Sequence, residues 1–205
     1  MIIFVYGFPH AGTTILRKLI GEHSLIMDYA TETASPPSHI KRTTHRFDAV
    51  VFKMPCLPDE KHNECKRIMI MKNPYDIYGS FYLRFRDKYL TFPGRTLDEY
   101  EIFLNHFNTT EDFTVKYEEL GERLPEIFDY IGFKYEGIKN LSGEVGRGFV
   151  DIPDEKPGSQ FDGDDHAYYR LWQINQPFKD MTGESAKHLP EAGRKEIDKR
   201  NINYG

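Results

Sequence analysis

The stretch Ile2-Ile3-Phe4-Val5-Tyr6-Gly7-Phe8-Pro9-His10-Ala11-Gly12-Thr13-Thr14-Ile15-Leu16-Arg17-Lys18-Leu19-Ile20 decides how this chain is read. Residues 2–6 are all β-branched or aromatic, the continuous run expected of a strand buried on both faces. From Ile15 the apolar positions 15, 16, 19 and 20 adopt helical spacing, so the period changes across the intervening turn. The stretch predicts a strand, a tight loop and a helix start. Gly7 and Gly12 allow approaches and backbone angles that a side chain would block, while Thr13 and Thr14 set hydroxyls beside the unpaired N–H groups of the first helical turn. Such a turn accommodates an anion.

Outward from that stretch, the 205 residues suffice for one substantial core, and a single domain spanning 1–205 is expected. Hydrophobic content of 39% with 14% aromatics is that of a globular protein, and no run approaches the roughly 20 apolar residues that span a bilayer. Met1 directly precedes the first strand, so no leader is expected and the cytoplasm is the default address. A net charge of −5 argues against general affinity for nucleic acid or anionic membranes, so any anion site must be local. Cys56 and Cys65 form neither a metal-ligand pattern nor a disulfide framework, and reduced thiols are expected.

After the first helix comes the short apolar run Leu25-Ile26-Met27, then a loop carrying Glu32. Residues 34–46, rich in Ser, Pro, Thr and His, read as irregular and exposed. A second strand, Asp48 to Pro55, has Lys53 near its carboxyl end, where ligands collect in open α/β sheets. A third, Arg67 to Met71, ends in Lys72-Asn73-Pro74. Asn73 is suited to cap the next helix and Pro74 to its first position, and that helix is expected to run to about Lys88. Residues 110–115 give a fourth strand. A helix with Pro125 near its start and Gly132 past its end follows, with Leu124, Ile127, Phe128 and Ile131 as its buried stripe. Residues 134–165 lack periodicity and are expected to form a long surface excursion, and 168–176 and 191–200 read as weaker helices. There is no internal repeat.

The spacing Gly7, four residues, Gly12-Thr13-Thr14 is a phosphate-loop pattern with Thr13 in place of the lysine of nucleoside triphosphatases. GFPHAGTT instead resembles the 5'-phosphosulfate loop of the sulfotransferases, with His10 where that family has lysine or arginine. Lys72-Asn73-Pro74-Tyr75-Asp76 with Ser80 resembles the family's 3'-phosphate element, with Lys72 for arginine; Asn73 and Ser80, seven residues apart, fall on one helix face. Tyr117-Glu118-Glu119-Leu120 is similar to a third family motif, whose tyrosine borders the adenine. The three motifs occur in the family's order.

The resemblance implies a P-loop-like three-layer α/β domain with a central parallel sheet flanked by helices. It also implies an enzyme that transfers sulfate from 3'-phosphoadenosine 5'-phosphosulfate (PAPS), leaving adenosine 3',5'-bisphosphate (PAP). The acceptor would be a hydroxyl on a carbohydrate, tyrosyl peptide or small molecule, and no metal is required. Gly7, Pro9, His10, Ala11, Gly12, Thr13 and Thr14 would hold the 5' end, Lys72 and Ser80 the 3'-phosphate, and Tyr117 the base. Lys53, in a setting that looks like the Lys-Thr-Pro element of glycan sulfotransferases, would stabilise the transferring group. His10 would donate a hydrogen bond there, and Glu32, placed like a glutamate of the glycan and tyrosylprotein branches, would act as base, with His39 and His45 in reserve. Two other readings stay open: a PAPS- or PAP-binding protein without efficient transfer, which the departures at His10 and Lys72 allow, and a phosphate-loop nucleotide kinase, which rests on the first loop alone.

Overall fold

The computed structural model describes residues 1–32, 46–59, 62, 64–137 and 182–204. The chain separates into two compact units, residues 1–135 with 181–205, and residues 136–180. The excursion expected over 134–165 lies outside the described residues beyond Gly137, as do His39, His45 and the helix expected over 168–176.

Among the described residues a five-stranded, all-parallel sheet forms in the order β2-β3-β1-β4-β5, from β1 (Ile2–Tyr6), β2 (Ile26–Glu32), β3 (Ala49–Lys53), β4 (Lys66–Met71) and β5 (Phe113–Lys116). β1 lies at its centre, which is why its sequence shows no polar alternation: Ile3, Phe4, Val5 and Tyr6 are all fully buried. Phe4 and Tyr6 join Phe52, Met69 and Met71 in a core shared with α2 (Pro74–Phe85), α3 (Leu97–Thr109) and α5 (Glu191–Lys199). Ile3 and Val5, pointing the other way, belong to the face covered by α1 (Thr13–Gly21) and α4 (Leu120–Ile131), and His23 at the end of α1 packs 5.6 Å from the ring of Phe128. The result is the three-layer arrangement of helices on both faces of a parallel sheet.

Two sequence expectations change in detail. Glu32 ends β2 and does not lie in a loop, because that strand pairs with β3 through an irregular register that brings Glu32 opposite Lys53. The helix after Pro74 stops at Phe85, where Arg86 takes a φ of 48° and a 3₁₀ turn, Arg86–Lys88, follows. A helix the sequence reading passed over, α3, starts at a capping box in which Thr96 and Glu99 satisfy each other's backbone N–H groups. Other expectations hold: Asn73 Oδ1 accepts the N–H of Tyr75 at 2.9 Å, Pro74 opens α2, and Gly132, at φ 81°, ends α4. Cys56 and Cys65 are free thiols. No helix among the described residues is long and apolar enough to cross a membrane.

Because the strands are parallel, their carboxyl ends share one edge. β1 leads through α1 to β2 on one side, whereas β4, its other neighbour, leads through α2 and α3 to β5 on the opposite side. The crevice between the ends of β1 and β4 is therefore a topological switch point, the customary ligand site in open α/β sheets.

Candidate active site

The loop after β1 is built by close packing. A Cβ on Gly7 would lie 2.0 Å from the carbonyl oxygen of Ile70 in β4, so only glycine lets the two strand ends come together. Phe8, fully buried, anchors the loop against the rings of Tyr100 and Phe103 at 5.3 and 5.5 Å. Ala11 N–H donates to Phe8 O at 3.0 Å and closes the turn. Gly12, at φ 103°, is the N-cap of α1, and no side chain caps the helix there. The first-turn N–H groups of α1 are thus left without a side-chain cap at a helix start that also carries Thr13 and Thr14, a setting suited to an anion.

His10 has a φ of 66°, a left-handed conformation that costs a non-glycine residue about 1 kcal/mol or more. Its ring stacks edge-on to Phe81 at 4.6 Å, and its Nδ1 lies 2.7 Å from Ser80 Oγ. Two motifs 70 residues apart in sequence therefore touch across the crevice.

The turn between β4 and α2 is braced from several directions. Tyr100 Oη donates to Lys72 O at 3.0 Å, Tyr204 Oη to Met71 O at 3.1 Å and to Glu118 at 2.7 Å, and Asn73 N–H to the other Glu118 oxygen at 3.0 Å. Burial, aided by Glu118, pushes both tyrosine hydroxyls far up, which keeps them protonated donors. Lys72 is 6% exposed; its ammonium lies 4.3 Å over the ring of Tyr117 and 3.8 Å from Asp76 Oδ2. Tyr117 itself is buried, and its ring fills the space beside Gly12, where a Cβ would stand 2.5 Å from it. The base-binding candidate, the cation and the first loop are thus contiguous.

On the other side of the loop, Lys53 Nζ donates to Thr14 Oγ1 at 3.2 Å. Lys53 and Glu32 are register partners at the ends of β3 and β2. Past the end of α2, Arg86 lies 5.5 Å over the Tyr82 ring and Lys88 is exposed. Sequence reasoning missed the bracing roles of Tyr100, Glu118 and Tyr204, and that of Asp76, because each depends on partners far along the chain.

Neither a family model nor a curated protein sequence matches the chain. Among solved structures it is similar to mouse sulfotransferase SULT7A1 complexed with PAP, with a TM-score of 0.53 and 16% identity over 96% of this chain and 81% of that one. It is also similar to retinol dehydratase in a complex with retinol and PAP, with a TM-score of 0.49 and 13% identity over 97% of this chain and 79% of that one. The chain has a sulfotransferase-like α/β fold.

Proposed function

We propose that the chain is a sulfotransferase that moves a sulfuryl group from PAPS to a hydroxyl on a carbohydrate, a tyrosyl peptide or a small molecule. The observation that carries this reading is the contact between His10 and Ser80, which joins the loop after β1 to α2, the helix that follows the neighbouring strand β4, at one edge of a sulfotransferase-like sheet. A nucleotide with phosphate on both its 5' and 3' carbons needs two anion sites within its own span.

The residues fit that nucleotide. The start of α1 carries no side-chain cap, the glycines at 7 and 12 let the loop pack against β4 and the Tyr117 ring, and Lys72 is set in place by Tyr117 and Asp76. In this reading the N–H groups of the first turn of α1, with Thr13 and Thr14, hold the 5' end, and Lys72 and Ser80 hold the 3'-phosphate. Tyr117 borders the base. When bound, PAPS supplies an activated sulfuryl group whose departing 5'-phosphate gathers negative charge. Lys53, tied to Thr14, and His10 offer donors to that charge before the reaction begins, so little reorganisation is needed. Glu32, opposite Lys53, takes the proton that the acceptor hydroxyl gives up.

Incubation with labelled PAPS and a panel of carbohydrate, tyrosyl-peptide and phenolic or alcoholic acceptors tests the proposal. Label transfer is expected with at least one class. Tight PAP binding without transfer to any class would instead favour a nucleotide-binding protein, and magnesium-dependent ATP binding with indifference to PAP would favour a kinase.

A further inference from the structure

Asp76 stands in the first turn of α2, yet it is only 2% exposed. Its Oδ2 accepts the backbone N–H of Gly183 at 2.7 Å and its Oδ1 that of Ala186 at 2.9 Å, so one carboxylate fastens a segment 107 and 110 residues further along the chain. The same Oδ2 lies 3.8 Å from Lys72 Nζ. Three residues on, Gly79 makes room for that segment: a Cβ there would stand 2.0 Å from Ser185 O and 3.0 Å from Ala186 N. Gly79 directly precedes Ser80. A single buried carboxylate thus neighbours the candidate 3' cation and fixes the strip of backbone that packs against Gly79, the residue before the candidate 3' hydroxyl.

This placement is more than a helix start requires. An exposed aspartate in a first turn already favours the helix dipole, whereas a buried carboxylate carries a desolvation cost that only full pairing offsets. The pairing that Asp76 makes is directed outward from the helix, to Lys72 and to the 182–186 backbone. A lysine side chain gives up rotamer freedom on binding unless it is already set. Asp76 and the Tyr117 ring set it.

We propose that Asp76 is the positioning residue that gives the pocket its preference for a 3'-phosphorylated nucleotide, acting only through Lys72 and the 182–186 segment. The inference rests on the assignment of Lys72 and Ser80 to the 3'-phosphate.

The test is calorimetric titration of the full chain with PAP and with adenosine 5'-monophosphate, for the wild type, Asp76→Asn and Gly79→Ala, with a melting curve for each. Asparagine keeps the size of the side chain but loses the charge facing Lys72 and one of the two accepting oxygens. Gly79→Ala leaves every charge in place and raises helix propensity, but its Cβ displaces Ser185. In both variants the preference for PAP over the monophosphate is expected to fall by about tenfold, with monophosphate affinity held within about twofold. An unchanged or increased preference overturns the proposal, and so does a parallel loss of both nucleotides, which marks a merely structural role. If Asp76→Asn fails to fold, Gly79→Ala decides by the same criteria. A wild type that binds both nucleotides equally refutes the underlying 3'-phosphate assignment instead, a result distinguishable from the other failures.

Discussion

His10 Nδ1 and Ser80 Oγ lie 2.7 Å apart although 70 residues separate them, His10 in the loop after β1 and Ser80 in the helix that follows the neighbouring parallel strand β4. The contact ties the loop before α1 to the face of α2 and holds His10 in its left-handed conformation. His10→Ala removes the bond and the packing on Phe81 but leaves the loop's backbone donors in place. Turnover with PAPS is expected to fall by about a hundredfold, the scale for loss of one transition-state donor, while PAP affinity changes by less than about fivefold. Single-turnover kinetics beside PAP titration check it; equal losses in both quantities would assign His10 to ground-state binding.

Glu32 and Lys53 are register partners at the ends of the adjacent strands β2 and β3. Glu32→Gln is expected to lower turnover by about a hundredfold or more with donor affinity unchanged, as removal of a general base does. Lys53→Ala should lower it on a similar scale and also loosen Thr14, so its donor affinity falls as well. Kinetics of the two variants, run with PAP titrations, separate the roles, and a Glu32→Gln enzyme of normal turnover removes Glu32 as base.

Lys72 carries the 3' assignment. Lys72→Ala is expected to weaken PAPS by about 1–3 kcal/mol, the value of a charge-assisted hydrogen bond, and adenosine 5'-phosphosulfate by much less. Competition titrations with the two nucleotides give the difference directly. Equal losses would mean that Lys72 serves only to pair Asp76 and cover Tyr117.

Away from the crevice, a buried polar chain predicts a pH effect on stability. Tyr6 Oη donates to Asp112 at 2.5 Å, Arg67 pairs with the other Asp112 oxygen at 2.6 Å, and His106 Nε2 lies 3.1 Å from Tyr6 Oη. Burial holds His106 below its ordinary value, with Asp112 opposing and Arg67 adding to the effect. The folded state thus binds the proton less readily than the unfolded chain. The stability this contributes is fully present above the ordinary histidine value of about 6.5 and is lost as pH falls through the folded value. The melting temperature is expected to fall by a few degrees between about pH 7 and pH 5, and His106→Gln should flatten that dependence. A slope unaltered by the substitution would place its origin elsewhere.

Tyr6→Phe leaves the buried Asp112 short of one donor. A loss of about 1–3 kcal/mol is expected by chemical denaturation, since the oxygen left without that donor belongs to a side chain only 4% exposed. A loss below about 0.5 kcal/mol would show that Arg67 alone satisfies Asp112.

The parts of the fold visible in the sequence are those fixed by neighbours along the chain. The apolar run 2–6 with Gly7 and Gly12 after it, Asn73 before Pro74, and Gly132 after the stripe of α4 all act within a few residues, and the structure realises each of them. β2 was legible only in part. Its second half, Asp28-Tyr29-Ala30-Thr31-Glu32, is not an apolar run; it is strand because β3 lies beside it, with Arg17 from α1 pairing Asp28 at 3.0 Å. α3 did carry a local signal, Thr96 three residues ahead of Glu99, with Leu97, Tyr100 and Leu104 turned to the core. Asp76 carried none that pointed to Gly183 or Ala186. Its place in the 3' motif was visible, but its partners are set by the tertiary path of the chain.

Tyr204 is bolted beside the turn that holds Lys72, whereas the amino group of Met1 donates to Asp48 O at 2.7 Å at the opposite rim of the sheet. The surroundings of Met1 and Tyr204 therefore differ sharply. A reporter dye attached near Tyr204 would sit beside the crevice and respond to nucleotide, while one attached near Met1 would stand about a strand length away from it and stay silent.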